Sequence, residues 1–189
     1  RPVNNDSRIP VPVDAWGIAR DSILAPAGLD ERRLEEALGT LLGAAIDAGD
    51  LYFQLAREEH WSLEDGIVKE GLHSIEQGVG VRALAGERTG FAYSDEVALP
   101  ALLEASRAAR AIARSGGEGR VQAWRAPAGR GLYLPIDPIV TMSDDDKVAL
   151  LARIDRETRA LDPRVRQVMA SLAAVHEVVH AADGILANA

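Results

Sequence analysis

The sequence predicts an α+β domain in which an antiparallel sheet, made of a meander and a C-terminal strand, is covered by about three helices. Two observations carry this prediction: short alternating segments between glycines over residues 50–93, and helical apolar periodicity on both sides of them. Connections this short cannot contain crossover helices, so the strands that they join must be antiparallel. Helices and a meander in this order are typical of α+β domains.

Length and composition limit the class of protein. The chain has 189 residues, of which 47% are hydrophobic and 26% are charged, as expected of a globular domain. Its net charge of −8 disfavours binding to nucleic acids or anionic membranes. The absence of cysteine excludes disulfides, thiolate metal sites and cysteine nucleophiles. Because no apolar run resembles a membrane span or a signal peptide, we expect a cytoplasmic protein.

The chain is expected to consist of a tail followed by one domain. Three prolines and two adjacent asparagines in the first twelve residues predict a flexible Pro-containing tail over residues 1–17. The domain then extends over residues 18–189. The first residue is Arg1 rather than Met, so we expect either a processed or truncated piece of a longer protein or a degenerate copy.

The first long helix is predicted to begin at Asp30, whose side chain can cap it. Gly49 stands where a left-handed residue would end this helix. Between them, apolar residues recur at spacings of four, three and four: Leu34, Leu38, Leu41 and Ala45.

The middle of the chain is predicted to form the meander. Strand-forming residues occur at 50–55 and at 61–64, which we interpret as two strands. A third strand is predicted over residues 78–85, with Val79, Val81 and Ala83 on one face. A tight turn at residues 86–90 then leads into a last strand that begins at Phe91.

Two further helices are predicted in the second half of the chain. One is predicted to start at Ser94-Asp95 and to extend to about Arg114, and Pro100 is tolerable only in its first turn or at a shifted start. The loop that follows has room for one short strand at residues 131–134. The other helix starts at Ser143, where three aspartates favour the positive end of the helix dipole, and Pro163 ends it. Its predicted buried stripe is Val148, Leu151, Ile154 and Leu161.

The last segment, residues 165–180, fits either a buried strand or an Ala-rich helix, since periodicity does not separate the two for a short apolar run. It contains His176-Glu177-Val178-Val179-His180, which matches H-E-x-x-H. On a helix, this pattern places two imidazoles on one face to bind Zn²⁺ while the glutamate activates a zinc-bound water.

Three observations weaken the zinc interpretation. A catalytic zinc needs a third protein ligand, and the available residues are Asp183, nearby, and His60 and His73 in the meander. The valines around the histidines favour a strand, in which residues four apart are separated by about 13 Å. The motif also lies close to the C-terminal end, where chains often fray.

The remaining candidate sites have structural explanations. A carboxylate cluster could bind a cation or serve acid–base chemistry, but a solvated strand edge kept charged against aggregation is the favoured interpretation. That cluster consists of Glu58, Glu59, Glu64 and Asp65. A basic helix face, expected to be solvated although it could meet an acidic partner, consists of Arg107, Arg110 and Arg114.

Two common sequence motifs are not matched. Residues 78–81, Gly-Val-Gly-Val, have too few glycines and the wrong following element for a dinucleotide or phosphate loop. The serines at 62, 74 and 94 lie outside any G-x-S-x-G context.

Several segments together resemble the N-terminal domain of the TldD/PmbA metallopeptidase family. The specific block comprises the segments that begin at Asp50, Trp61, Gln77 and Glu87, the last of which ends at Asp95. The likeness continues through the Ala108-Ala-Arg segment and the helix after Ser143 to residues 168–172, and covers about residues 18–175 in order.

The resemblance implies a zinc peptidase whose metal motif, H-E-x-x-x-H with a later cysteine ligand, lies in a catalytic C-terminal domain absent from this chain. No position here matches that motif, so we assign no catalytic, cofactor-binding or metal-ligating residue. The resemblance also implies that residues 175–184 are a strand with an Asp183-Gly184 turn. It further implies assembly with a PmbA-like (TldE) subunit, or with itself, around a chamber that admits peptides and small unfolded proteins in the cytoplasm.

Two alternatives remain open at this point. One is a self-contained small zinc hydrolase with His176 and His180 as ligands and Glu177 as the base. The other is an interaction module without chemistry.

Overall fold

The fold is a four-stranded antiparallel sheet with all of its described helices on one face, which confirms the predicted α+β class. The computed structural model describes residues 14–43, 45–114 and 136–185. The strand predicted at residues 131–134 and most of the predicted tail lie outside these ranges.

The centre of the sheet is a long hairpin of β1 (Ala48–Glu64) and β2 (Ile67–Ala85). The two strands that the sequence suggested before residue 65 are one strand, because the charged segment between them pairs with β2 without interruption up to a bulge at Ser62/Leu63. Asp65 and Gly66 form the hairpin turn with φ of 49° and 77°. Positive φ at both central residues is the geometry that an Asp-Gly turn favours.

Two further strands complete the sheet in the order β3-β2-β1-β4. The strand β3 (Arg88–Ser94) pairs with β2 after the predicted tight turn. The strand β4 (Met169–Ile185) pairs with β1 along the whole length of both strands. The ambiguous C-terminal segment is therefore a strand, which begins four residues later and ends five residues later than the predicted range of 165–180.

The helices follow the local signals of the sequence at most of their ends. The helix α1 (Ala15–Ala19) continues into a π-helical stretch (Arg20–Leu24), so helical structure begins within the range predicted as tail. Then come α2 (Glu31–Leu41), capped by Asp30, and α3 (Leu99–Arg114), with Pro100 in its first turn. The last helix is α4 (Asp144–Leu161), capped by Ser143.

The helix α2 ends eight residues before the position predicted for its end. Gly49 lies inside β1, where a Cβ would come within 2.5 Å of the Leu41 side chain. The glycine therefore permits close packing of the strand against α2 rather than ending the helix. Ala45, which the sequence placed on the apolar stripe of this helix, lies outside it.

The main core lies between the sheet and the helices α2 and α3. The helix α3 approaches β3 so closely that a Cβ at Gly90 would lie 1.9 Å from the Ala109 carbonyl oxygen. Several large side chains in this core are less than 2% exposed, among them Leu24, Leu41, Ile46, Leu51, Phe53, Val81 and Leu102. No described helix has the length and apolar character needed to cross a membrane.

The helix α4 covers the other end of the same face, and its buried side differs from the predicted stripe. Leu151 is 1% exposed, but Ile154 is 40% and Leu161 is 86% exposed. The buried side instead includes Lys147, which pairs with Glu59 of β1, and Asp155, which pairs with Arg159 on the same helix. Arg159 in turn pairs with Asp65 in the hairpin turn. The opposite face of the sheet, called the uncovered face below, contacts none of the described helices.

Candidate functional site

The H-E-x-x-H segment lies in β4, paired with the central strand β1. His176 is opposite Arg57 and His180 is opposite Phe53, so both imidazoles point to the helical face. At about 3.3 Å per residue, their backbone positions are about 13 Å apart. Glu177 points to the uncovered face, where it accepts a hydrogen bond from Gln54. One zinc ion cannot bind both imidazoles of this strand, and the glutamate lies on the wrong side to activate its water.

His180 packs as an aromatic residue between two rings. Its ring centroid lies 4.7 Å from that of Trp16 and 6.0 Å from that of Phe53. Its Nε2 atom is buried and has no hydrogen-bond partner among the described residues. Burial lowers the pKa of His180, because desolvation penalises the imidazolium. The side chain therefore acts as a neutral packing element.

His176 belongs to a separate, partly buried cluster with Arg57 and Asp137. Its Nδ1 atom lies 3.4 Å from Arg57 Nη2 and 3.9 Å from Asp137 Oδ2. Asp137 also pairs with Arg57 and accepts a hydrogen bond from the backbone N–H of Ile139. Burial opposes ionisation of Asp137, but the Ile139 N–H, His176 and Arg57 outweigh it and lower its pKa. This cluster attaches the segment before α4 to the sheet.

The carboxylate cluster that the sequence suggested is divided between the two faces of β1. Glu58 is exposed on the uncovered face, whereas Glu59 is 3% exposed beneath α4. Glu59 Oε2 accepts a hydrogen bond of 2.7 Å from the ammonium of Lys147, which is itself 2% exposed. The bond to Glu59 raises the pKa of Lys147. The solvated-edge interpretation is therefore wrong for Glu59, which forms a buried ion pair.

One group of side chains near this pair has the composition of a metal site. Glu59, His73 and Asp144 have donor atoms that all lie within 4.8 Å of one another. The Lys147 ammonium, however, is 2.7 Å from Glu59 and 3.5 Å from Asp144. A cation is thus already present at two of the three donors, and the three residues do not fit a catalytic zinc with an open coordination position.

Asp65 and Glu64 support the tip of the β1–β2 hairpin. Asp65 accepts a hydrogen bond of 3.1 Å from the Val168 N–H and also pairs with Arg159. The Val168 bond, followed by that from Arg159, lowers the pKa of Asp65. Glu64 accepts a hydrogen bond of 2.6 Å from Gln167. These contacts join the hairpin tip to the start of β4 and to α4.

The other sequence-selected residues also make structural contacts. His60 lies 3.7 Å from Glu70 on the uncovered face, and Asp183 is opposite Asp50 in the sheet. Arg110 donates to the Thr40 carbonyl oxygen at 3.2 Å, so the basic face of α3 also links α3 to α2. Residues 78–81, which lack the pattern of a phosphate loop, lie within the strand β2.

A groove on the uncovered face was not identified from the sequence. It crosses β1, β2 and β3, has a volume of about 290 Å³, and is lined by three aromatic rings, those of Tyr52, Phe91 and Tyr93. A signal was available, because the alternation of β3 places Phe91 and Tyr93 on the same face of the strand.

Comparison with known proteins links the chain to one family. The sequence-family model described as PmbA/TldA metallopeptidase domain 1 matches residues 49–113. A metalloprotease TldD homolog from Haemophilus influenzae is 40% identical over 171 residues, which is 88% of this chain and 36% of that protein. A metalloprotease TldD homolog from Buchnera aphidicola (subspecies Acyrthosiphon pisum) is 35% identical over 90% of this chain and 36% of that protein.

The fold agrees with a solved structure of lower sequence identity. The crystal structure of TldE from Thermococcus kodakarensis superposes with a TM-score of 0.59 at 16% identity, over 80% of this chain and 34% of that one. The chain spans about a third of the length of the curated relatives that it matches.

Proposed function

Because the chain belongs to the TldD/PmbA family as an N-terminal first domain, we propose that it is the non-catalytic part of a TldD-like zinc metallopeptidase that processes or degrades peptides and small unfolded proteins. In this proposal the domain shapes the substrate chamber, and the catalytic zinc is bound by a C-terminal domain outside this chain. The metalloprotease names of relatives that are about two and a half times as long support this division of roles.

The observation that carries the proposal is the outer edge of β4. Among the described residues, no strand pairs with this edge over the 17 residues from Met169 to Ile185. Exposed edges are usually protected by lysine, proline, a bulge or a short length. The strand β4 has neither lysine nor proline, and its pairing with β1 contains no bulge. Its edge is therefore suited to accept another strand.

Strand addition fits the proposed substrates. An extended peptide that joins a sheet edge is bound mainly through its backbone N–H and C=O groups, which every sequence has. Such binding selects for an unfolded conformation rather than for particular side chains. A peptidase of unfolded chains needs this kind of selectivity from its chamber wall.

The assembly and the compartment are part of the same proposal. We expect the longer protein to associate with a PmbA-like (TldE) subunit, or with a second copy of itself, to close the chamber. We also expect a cytoplasmic location, since the chain has no cysteine.

The test is peptide binding to the β4 edge. A short fluorescein-labelled peptide of alternating valine and threonine, with no basic residue, should bind the chain. Hydrogen exchange followed by mass spectrometry should then show slower exchange over residues 169–185. The double substitution Val175→Lys and Val179→Lys places lysines on an edge strand, and it should weaken binding about fivefold or more. These valines are 57% and 45% exposed, so the fold should be retained.

The matched control is Glu58→Lys, because Glu58 is directly opposite Val175 but lies in the interior strand β1. It adds a lysine to the same face without changing the edge, and it should leave binding within about twofold. Protection outside β4, or equal effects of the edge and control substitutions, would remove the support for strand addition.

A further inference from the structure

The groove on the uncovered face has the chemistry of a cation-binding site. Three of the six aromatic residues in the described part of the chain line it: Tyr52, Phe91 and Tyr93. Their exposed fractions are 39%, 57% and 74%. Rings this exposed contribute little to the core, so packing does not explain their concentration in one place.

Glycine keeps the floor of the groove open. A Cβ at Gly80 would lie 3.2 Å from the Phe91 ring, and a Cβ at Gly78 would lie 3.0 Å from the Ser94 carbonyl oxygen. Phe91 and Tyr93 are stacked, with ring centroids 6.5 Å apart and an interplanar angle of 27°. The Phe91 and Tyr93 rings thus form one aromatic side of the groove, next to the part of β2 where Gly78 and Gly80 carry no side chain.

The charged groups that line the groove are both acidic. They are Glu76 and Asp95, and neither has a basic group within 4 Å among the described residues. The nearest arginine along this face, Arg82, is already paired with Asp50 at 2.7 Å. Other exposed carboxylates on the face, including Glu58, add to the negative field.

We propose that this groove binds an arginine side chain from an extended basic peptide segment of a partner protein. A guanidinium stacks on aromatic rings and donates paired hydrogen bonds to carboxylates, so it matches both parts of the lining. A phosphate or another anion would be repelled by Glu76 and Asp95. A purely apolar ligand would leave both carboxylates without a counter-charge. The volume of about 290 Å³ fits a side chain rather than a folded domain.

The proposal is independent of the peptidase assignment, because it rests on the groove and not on the β4 edge. The probe is a short fluorescein-labelled peptide with a central arginine flanked by glycine and serine. Its partner probe has citrulline in place of arginine, which keeps the shape and removes the charge. The arginine peptide should bind at least about fivefold more tightly than the citrulline peptide. Its affinity should fall as salt is increased.

Two substitutions in the groove test the two parts of the lining. Tyr93→Ala and Glu76→Gln should each weaken binding of the arginine peptide about threefold to fivefold, as expected for one exposed cation–π contact or one charged hydrogen bond. The matched controls on β2 are Ile75→Ala, 69% exposed and on the opposite face, and Glu70→Gln. Both controls should leave the affinity unchanged. All four positions are exposed, and circular dichroism checks that the fold is retained.

Three results would overturn the proposal. They are no binding of the arginine peptide at millimolar concentration, equal affinity of the citrulline peptide, and backbone amide shifts in NMR spectra that avoid Gly78 and Gly80.

Discussion

The buried ion pair beneath α4 gives the sharpest test of the site. Replacing Lys147 with methionine leaves the Glu59 carboxylate 3% exposed and without its cation. The Oε1 atom of Glu59 already has no hydrogen-bond partner among the described residues, so the carboxylate is stabilised only through hydrogen bonds to Oε2. The Ile139 carbonyl also loses the hydrogen bond of 2.9 Å that Lys147 donates to it. Breaking a buried pair in this way costs about 3–5 kcal/mol.

The double substitution separates loss of the pair from loss of packing. Glu59→Leu together with Lys147→Met removes both charges, and its stability should return to within about 1–2 kcal/mol of the parent chain. The measurement is urea unfolding at pH 7 followed by circular dichroism. The control is Lys69→Met, which changes the other lysine of the chain at an exposed position and should shift stability by less than about 0.5 kcal/mol.

Two outcomes would refute this explanation of the cluster. In the first, Lys147→Met unfolds at the same urea midpoint as the parent chain, which would mean that the Glu59 side chain is not both buried and ionised. In the second, zinc raises the melting temperature of the parent chain and His73→Ala abolishes that effect. The second result would mean that Glu59, His73 and Asp144 bind a metal in spite of Lys147.

Two further predictions concern the main core. Gly90→Ala should destabilise the chain by about 1–3 kcal/mol or more in urea unfolding, because its Cβ would lie 1.9 Å from the Ala109 carbonyl oxygen. Gly39→Ala, on an open face of α2, should instead stabilise it by up to about 1 kcal/mol, and a similar loss for both would contradict the packing. Because the pKa of His180 is lowered in the folded state, the unfolded state binds more protons at acidic pH. The free energy of unfolding is therefore unaffected by this group above about pH 6.5 and decreases as the pH falls below that value. In His180→Phe, the decrease in the free energy of unfolding between pH 7.5 and 5.5 should be smaller than in the parent chain. An equal decrease would contradict the neutral packing role. So would one zinc per molecule in the parent that the variant lacks.

The features that were predictable from sequence are those set by neighbouring residues. Ser143 and Asp30 cap their helices because a cap needs only a side-chain oxygen and the next few N–H groups. Pro100 is tolerated because the first turn of a helix has unpaired N–H groups. The tight turn at Gly86 likewise depends on a single positive φ of 62°.

The features that were missed depend on residues far apart in the chain. The charged middle of β1 continues as a strand because β2 and β4 pair with it on both sides. The helix α4 faces the sheet with Lys147 because Glu59, 88 positions earlier, supplies its partner. For the H-E-x-x-H segment, periodicity left strand and helix open. The pairing with β1 decides for the strand, and His180 then packs between the rings of Trp16 and Phe53.

The two proposed binding features are separable because of where they lie in the sheet. A peptide strand added outside β4 would lie three strand spacings from β2, or about 14 Å from the floor of the groove. One side chain of that peptide does not span this distance, so the edge and the groove bind different segments. Backbone pairing at the edge carries no preference for charge, whereas the groove selects a cation. Failure of either proposal therefore leaves the other intact. The edge is tested with a peptide that has no basic residue, and the groove is tested by the difference in affinity between the arginine and citrulline peptides.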